Sequence, residues 1–359
     1  MRTCKGLNKA IADPIGEYLV ASGDGASQMH LSGSGAVAEV EDKLKQHYRM
    51  RYALCVSNGT AGLLAIALAL DLKNSEFVTT PYTYGGSLAS WLLLGNRPVF
   101  ADIDPVTLTL NCESVRKAIS PKSKAVLAVD IFGNPSDTVA LRRLADEFGL
   151  WYVADAAQSL GAYRDDRPAS ALADALVLSF TAGKTVFAGE GGAVLTNNEE
   201  LYQKMIWHTQ HPTRQCRELG LHLSNEFAVN ARIHPLAAVW VDAVFEQSLC
   251  DLAAYQKQCF RLIRALNLIG LTEPIHFERH GIVPSFFRFT ASWNDQPQEE
   301  TLLRELRERG FSVTTGQPLI TLLYQQAAYT AQYAARLKKR YRCPEAERQA
   351  RHRFCIMES

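Results

Sequence analysis

The sequence predicts an α/β protein with a large, mainly parallel sheet of seven strands, followed by a smaller α+β domain at the carboxyl end. Short apolar runs of β-forming residues alternate with helical stretches through the first two thirds of the chain. That alternation is typical of a parallel sheet covered by helices. From about Pro235 the pattern changes to one long helical stretch, residues 236–270. We therefore place a large domain at residues 1–235 and a small domain at residues 236–359.

The predicted strands of the large domain follow one another as short apolar runs. They cover residues 52–56, 77–80, 99–102, 125–130, 151–154, 176–179 and 193–196. Helices are predicted over residues 61–70, 113–119 and 139–148, and Gly149 follows the last of these, where a helix-ending glycine belongs. In the small domain we predict a strand over residues 286–291 and a helix over residues 299–309.

Composition and charge exclude several classes of protein. The 359 residues are 47% hydrophobic and 21% charged, which is ordinary for a globular chain with a sizeable core. Lysine and arginine number 38 against 37 aspartate and glutamate, so no net field attracts nucleic acid. The longest apolar run, residues 63–70, is far shorter than the ~20 residues that cross a bilayer. Residues 1–16 lack the apolar core of a signal peptide. The eight cysteines form no CxxC pair. We therefore expect a cytoplasmic protein with reduced thiols and no nucleic-acid or membrane partner.

Two familiar motifs fail on spacing. The residues around Lys184 resemble the end of a phosphate-binding P-loop, but Leu178 stands where the first glycine of that motif belongs. Several histidines in the middle of the chain are too irregularly spaced to form a metal site on one helix face. These are His208, His211, His222 and His234. We predict no P-loop and no metal centre.

Polar segments follow the predicted strands at the edge where open α/β sheets bind ligands. Ser57-Asn58-Gly59-Thr60 lies between a strand and a helix. Free amides there, with Gly59 and the Thr60 hydroxyl, make an anion site, although any Asn-Gly-Thr helix cap has the same letters. Lys184 follows the strand that ends at Ser179, in a loop that continues into a glycine-rich stretch. Among apolar and small residues a lysine is partly desolvated, so its pKa falls and a neutral amine becomes available for imine chemistry.

Two further segments supply an acid and an aromatic ring. Asp155 ends an apolar strand, where it can hold a pyridine nitrogen protonated or serve simply as a loop acid or helix cap. Gln158 is placed to reach a ring hydroxyl on the same side. Tyr84 is a candidate to stack on a ring, with a buried core tyrosine as the alternative. An anion cradle, an amine, an acid and a ring platform are together what pyridoxal 5′-phosphate (PLP) needs.

The order and spacing of these segments resemble the sugar aminotransferases of the DegT/StrS type, a family of fold-type I PLP enzymes with an aspartate aminotransferase-like fold. The similarity runs from about Leu31 to the carboxyl end. The stretches that carry it are residues 57–61, 81–84, 95–104, 131–133, 155–162, 179–180, 184 and 189–193.

The resemblance implies a role for each candidate residue. Lys184 would be the Schiff-base lysine and Asp155 the partner of the pyridine nitrogen. The family also places an asparagine of the neighbouring subunit on the cofactor phosphate, and Asn230 stands where that motif falls. A shared site of this kind implies a homodimer. The other implied contacts are Gly59, Thr60 and Ser179 to the phosphate, Gln158 to the ring hydroxyl and Tyr84 stacked on the ring.

The implied reaction transfers an amino group from L-glutamate or L-glutamine to a ketone on a sugar or cyclitol ring, in amino-sugar, antibiotic or surface-polysaccharide biosynthesis. Two alternatives stay open: a sugar dehydratase of the same fold, in which histidine typically replaces the lysine, and a non-catalytic PLP-binding regulator. Many family members continue beyond the residue that matches Ser359, so we expect an abbreviated outer wall of the substrate site. A nucleotide-linked sugar would need cations for its diphosphate. Those available are Arg214, Arg217, Arg232 and Arg288.

Overall fold

The structure is a computed structural model that describes residues 7–23, 30–317, 320–333 and 341–358. Its strands are β1 (Tyr52–Val56), β2 (Glu76–Thr79), β3 (Arg97–Phe100), β4 (Ser123–Val129), β5 (Trp151–Asp155), β6 (Tyr163–Arg164), β7 (Arg167–Pro168), β8 (Ala175–Ser179), β9 (Gly192–Thr196), β10 (Ile282–Val283), β11 (Phe289–Ser292), β12 (Val313–Gly316) and β13 (Arg353–Glu358). The central sheet has the order β1-β9-β8-β5-β4-β2-β3. Strand β9 runs antiparallel to both neighbours, and the remaining pairs are parallel. The prediction of a mainly parallel sheet of seven strands is confirmed.

Most of the helices cover the two faces of this sheet, and the others belong to the carboxyl-terminal part of the chain. They are α1 (Leu7–Gly23), α2 (Ala36–Tyr48), α3 (Gly59–Ala69), α4 (Gly86–Leu93), α5 (Cys112–Ala118), α6 (Thr138–Phe148), α7 (Glu199–Thr209), α8 (Pro212–Leu219), α9 (Pro235–Ile269), α10 (Glu299–Glu308), α11 (Ala327–Tyr333) and α12 (Pro344–His352). The five helices predicted from periodicity correspond to α3, α5, α6, α9 and α10. Gly149 ends α6 with a φ of 62°, as its position predicted. No helix within the described residues is both long and apolar enough to cross a membrane.

Alternation along the buried strands divides the core into two layers. On β1, Ala53 and Cys55 belong to the cluster under α2, α6 and the first half of α9, while Leu54 and Val56 belong to the cluster under α3, α4 and α7. Successive side chains of a strand point to opposite faces, so a strand that is buried on both sides is apolar throughout. The sheet is therefore packed on both faces, and this packing positions the ends of its strands.

A second sheet, β11-β13-β12, packs with the second half of α9 and with α10 in a separate core cluster. The strand predicted over residues 286–291 starts later, at Phe289, so that boundary was wrong. Phe286 has a left-handed φ of 50° and its ring stacks on Phe289, so the extended backbone begins only after this bend. Helix α9 contributes to both the first and the third core clusters. The domain boundary at residues 235/236 stays a prediction.

Candidate active site

Lys184 lies on the loop that joins β8 to β9, at the edge of the central sheet. Gly183, directly before it, has a φ of 86°, a conformation that glycine adopts without strain. The Lys184 N–H donates to the carbonyl of Thr181 at 3.2 Å, which closes a tight turn. The side chain is half-buried, and Nζ lies 4.2 Å from the ring centroid of Phe287. The amine is thus held against an aromatic ring just before β11.

Three charges meet at this amine. Burial lowers the pKa of Lys184, the Asp155 carboxylate partly offsets that effect, and the Arg288 guanidinium adds to it. The net pKa lies below the ordinary value for lysine, because desolvation and a like charge both disfavour the ammonium form. A lowered pKa favours the neutral amine that proton transfer and imine chemistry use.

Asp155 stands at the carboxyl end of β5, in the middle of the sheet. It pairs in register with Val129 of β4 and Val177 of β8, and it is only 8% exposed. Oδ1 accepts a hydrogen bond from the N–H of Ala157 at 3.1 Å. The other carboxylate oxygen is therefore left for a partner outside this turn. A buried carboxylate placed this way can hold a cationic ring nitrogen.

Gln158 is oriented by the backbone of a neighbouring loop. Its Oε1 accepts a hydrogen bond from the N–H of Phe132 at 2.7 Å, which fixes the amide so that its Nε2 group is the available donor. Its own carbonyl accepts from Ser285 Oγ at 2.6 Å. A side chain at Gly133 would put Cβ 2.0 Å from Ser285 Oγ, so only glycine fits this crossing. These contacts join the large sheet to the segment that carries Phe287.

The anion cradle forms at the amino end of α3. Asn58 caps the helix, with Oδ1 accepting from the N–H of Ala61 at 2.8 Å. Gly59 is next to the end of β8, since a Cβ at this position would be in ordinary contact, at 3.5 Å, with the Cβ of Ser179. Thr60 is exposed on the first turn. The structure brings the three predicted phosphate residues to one helix terminus, where free amides and the helix dipole favour an anion.

Tyr84 is 75% exposed, so the alternative of a buried core tyrosine is wrong. A Cβ added at Gly86 would lie 3.0 Å from the Tyr84 ring and 3.4 Å from Thr60 Oγ1. The ring is therefore next to the cradle, with most of its surface open to a stacking partner.

Asn230 is exposed, next to the end of β1 in its own chain. The carbonyl of Ala231 accepts from the N–H of Ser57 at 2.7 Å, directly before the cradle. Asn230 borders a cleft of about 530 Å³ that Ser57 and Glu190 also line. Several large apolar side chains are exposed in the segment before it. They are Leu221, Leu223, Phe227 and Val229.

The four arginines available for a diphosphate differ in burial and pairing. Arg232 lines the same cleft as Asn230, and burial lowers its pKa. Arg214 is 1% exposed and makes a two-fold contact with Glu41, at 3.0 and 2.8 Å, so its availability to a substrate was wrongly predicted. This pairing could not be predicted from the sequence, because Glu41 is 173 positions away from Arg214. Arg217 pairs with Glu218 at 3.2 Å. The Arg288 guanidinium contributes to lowering the pKa of Lys184, and both side chains lie near the ring of Phe287.

A desolvated lysine, a buried acid at a central strand end, a helix-terminus cradle and an open aromatic ring fit the chemical groups of PLP. This geometry defines the class of fold-type I PLP proteins. The model of the DegT/DnrJ/EryC1/StrS aminotransferase family matches residues 25–357, and the chain belongs to that family. The predictions of family, fold class and PLP as cofactor are thereby confirmed.

Individual relatives are more distant. The chain is 30% identical over 241 residues to the UDP-2-acetamido-2-deoxy-3-oxo-D-glucuronate aminotransferase of Pseudomonas aeruginosa, covering 66% of each protein. It is 36% identical over 167 residues to the dTDP-4-amino-4,6-dideoxy-D-glucose transaminase of Shigella dysenteriae, covering 46% of this chain and 45% of that one. The chain thus spans less than two thirds of the length of these curated relatives. An aminotransferase structure from Psychrobacter cryohalolentis superposes with a TM-score of 0.84 at 22% identity, covering 98% of this chain and 92% of that one, and shows the same fold.

Phe287 and Ser285 are contacts that sequence reasoning missed, because each belongs to a segment whose partner is far away in sequence. Phe132 lies in the stretch 131–133 that carries the family resemblance, but no role was predicted for it. For Phe287, the signal in the sequence was the aromatic run at Phe286-Phe287 directly before Arg288.

Proposed function

We propose that the protein is a PLP-dependent aminotransferase that moves an amino group from L-glutamate or L-glutamine to a ketone on a nucleotide-linked sugar. The observation that carries the proposal is the half-buried amine of Lys184, whose pKa is lowered by burial and is influenced by the charges of Asp155 and Arg288. When bound, PLP supplies a ring that takes up the negative charge left on an amino acid that has lost its α-proton.

Lys184 is the residue that moves the proton. Its lowered pKa favours the neutral amine, so Nζ would be able to take a proton from the α-carbon of a bound donor and return one in the course of transfer. The glycines that flank this loop let the backbone approach a ligand, and the Phe287 ring limits where the amine can lie.

Asp155 has the second catalytic role. Its buried carboxylate would hold the ring nitrogen in the protonated form, in which the ring can take up charge. The Nε2 group of Gln158 would donate to the ring hydroxyl, and Tyr84 would stack on the ring. Gly59 and Thr60 at the amino end of α3, with Ser179 at the end of β8, would hold the phosphate.

The names of the relatives support the sugar acceptor. Both curated relatives described above are named for UDP- or dTDP-linked sugars, and a third, from Vibrio cholerae, is named GDP-perosamine synthase. We infer a role in amino-sugar biosynthesis of the kind that serves antibiotics or surface polysaccharides, in the cytoplasm. The cysteines of the described chain are free thiols, which supports a reducing compartment. A keto-cyclitol is the competing acceptor and belongs in any substrate panel.

The reaction is tested by the first half of the cycle alone. Mixing the holoenzyme with L-glutamate or L-glutamine should bleach the visible cofactor band and release one keto acid per site. Borohydride should fix the cofactor to Lys184 and to no other lysine. Asp155→Asn should keep the cofactor and lose several orders of magnitude in rate, because a neutral amide does not support the ring charge. If no amino acid converts the cofactor of the folded, loaded protein, the aminotransferase proposal is wrong.

Asn230 completes the phosphate site of the partner subunit, so we propose a homodimer with shared sites. The exposed apolar residues before Asn230 support a buried face there. Lys184→Ala and Asn230→Ala chains, each inactive alone, should regain activity when mixed, because one site of the heterodimer has both residues intact. Confirmed heterodimers without activity would place Asn230 outside the shared site.

A further inference from the structure

Asp130 is a buried carboxylate directly after β4 that the proposed reaction does not use. It is 1% exposed. Its Oδ1 accepts from the N–H of Ser136 at 2.8 Å, and its Oδ2 accepts from the hydroxyls of Ser159 and Ser170 at 2.7 and 2.8 Å. Burial raises the pKa of Asp130, and these hydrogen bonds counteract that rise. The carboxylate therefore joins three separate segments of the chain, each of which donates to it.

Asp130 holds both ends of the turn that carries the two candidates for binding the cofactor ring. Its backbone N–H donates to the carbonyl of Asp155 at 3.0 Å, and its carboxylate accepts from the Ser159 hydroxyl. Between these ends, Asp155 Oδ1 accepts from the N–H of Ala157. Gln158 lies inside this turn, next to Ser159, so its backbone is positioned by contacts on either side.

The same carboxylate shapes the loop that orients the Gln158 amide. The bond from the Ser136 N–H to Asp130 Oδ1 closes residues 130–136 into a loop. Within it, Phe132 has a φ of 58°, a left-handed conformation that a phenylalanine adopts only at a cost in free energy. The Phe132 N–H donates to Gln158 Oε1 at 2.7 Å. The loop and the turn therefore meet at the Gln158 side chain.

The two hydroxyls that share one carboxylate oxygen belong to different parts of the fold. Ser159 directly follows Gln158 in the turn. Ser170 lies between β7 and β8, where its carbonyl accepts from the N–H of Ala173 at 3.0 Å. Both serines are 0% exposed. Removal of either hydroxyl is the same chemical change, but only the loss at Ser159 releases the turn that carries Gln158.

We propose that Asp130 is a positioning residue of the cofactor site, which holds the turn of residues 155–159 against the loop of residues 130–136 so that the Gln158 Nε2 group meets the ring hydroxyl. An amide held in this way has lost its conformational freedom before the ligand binds, so the hydrogen bond contributes more to affinity. The inference rests on the proposed role of Gln158.

The test measures how strongly each variant prefers a ligand that has the ring hydroxyl. The full chain, freed of cofactor, is titrated by calorimetry with pyridoxamine 5′-phosphate, which does not form an imine with Lys184. It is also titrated with the analogue in which hydrogen replaces the ring hydroxyl. We expect the wild type to bind the first ligand about 10-fold more tightly, the effect of one hydrogen bond, and Gln158→Ala to show a ratio of about 1.

Ser159→Ala and Ser170→Ala are the matched pair for this measurement. We expect the ratio to fall to about 3 or lower in Ser159→Ala and to stay at about 10 in Ser170→Ala. Urea unfolding should show a similar loss of stability in both, because each lacks one buried hydrogen bond to the same oxygen. Asp130→Ala releases the turn and the loop together and should lower the ratio to about 1. Asp130→Asn, with a ratio below that of the wild type, stands in if Asp130→Ala does not fold.

Two results would overturn the inference while leaving the role of Gln158 intact. One is an equal ratio in Ser159→Ala and Ser170→Ala, with the preference lost in Gln158→Ala. The other is a wild-type ratio in the folded Asp130 variant. Either would show that Asp130 stabilises the fold without positioning the amide. If Gln158→Ala keeps the wild-type ratio, the proposed contact of Gln158 with the ring hydroxyl is itself wrong, and the inference about Asp130 is wrong with it.

Discussion

Two arginine sites of this protein differ in whether their charges are paired with carboxylates. The guanidinium of Arg214 is fully paired. Glu41 accepts from it with both carboxylate oxygens, Glu218 accepts from Nε at 2.9 Å, and Tyr202 OH lies 3.2 Å from Nη2. At the second site, the cationic groups of Lys184 and Arg288 both lie near the ring of Phe287. The Asp155 carboxylate offsets only part of the lowering of the Lys184 pKa that burial and Arg288 cause.

The contrast separates charges that stabilise the fold, at Arg214, from charges that are available to a ligand, at Lys184. Burial alone would lower the pKa of Arg214, but the Glu41 carboxylate more than offsets this, so the pKa is raised. Burial also raises the pKa of Glu41, and the Arg214 guanidinium counteracts that rise. The two-fold contact at 3.0 and 2.8 Å has the geometry of an ion pair. Glu41 Oε1 also accepts from the N–H of Cys55 on β1 at 2.7 Å. The Arg214 site thus fastens α2 and α8 to the strand that leads into the phosphate cradle. The Lys184 site leaves its charges open to reactants.

The largest effect on stability is expected from disrupting the Arg214 site. Arg214→Met leaves Glu41 buried without its cation, which should lower the free energy of unfolding by about 3–5 kcal/mol. Arg214→Met combined with Glu41→Met removes the stranded charge and should recover most of that loss. Urea unfolding of the two single variants and the double variant measures the coupling.

Arg217→Met is the matched control for this series. Arg217 is on the same helix, is 48% exposed on its side chain, and pairs with the same Glu218. Its loss should cost no more than about 1 kcal/mol, as for other exposed ion pairs. If Arg214→Met is no more destabilising than Arg217→Met, the Arg214 site is not the structural anchor that its geometry indicates.

Sequence patterns predicted the frame of the site better than its pairings. The strands and helices that position Gly59, Asp155 and Lys184 are marked by local signals, namely apolar runs, helix caps and glycines. The sheet then brings the ends of these strands to one edge. The use of each arginine was not predictable in this way. Nothing in the local sequence distinguishes the roles of Arg214 and Arg288. The fold places Glu41 beside Arg214 and the ring of Phe287 beside Arg288.

The histidines illustrate the same limit. Spacing argued against a metal site, but it did not reveal that two of them begin helices. His211 Nδ1 accepts from the N–H of Thr213, and His234 Nδ1 accepts from the N–H of Leu236, each at 3.2 Å. A histidine is an uncommon helix cap, and it serves only while that ring nitrogen is unprotonated.

The smallest predicted effect concerns the cap of α8, the helix that carries Arg214. Burial lowers the pKa of His211, and the charges of Arg232 and His30 lower it further. Between the lowered folded value and the ordinary value of 6.5, the unfolded chain binds more protons than the folded one. The contribution of the cap is therefore fully present above about pH 6.5 and is lost as the pH falls through the folded pKa. His211→Ser keeps an oxygen acceptor that does not titrate. It should match the wild type at pH 8 and exceed it by about 1 kcal/mol or less at pH 5. Thermal unfolding midpoints at the two pH values measure the difference, with the exposed His222→Ser as control. A His211→Ser curve that stays parallel to the wild type between pH 8 and pH 5 would show that the neutral cap does not contribute to anchoring α8.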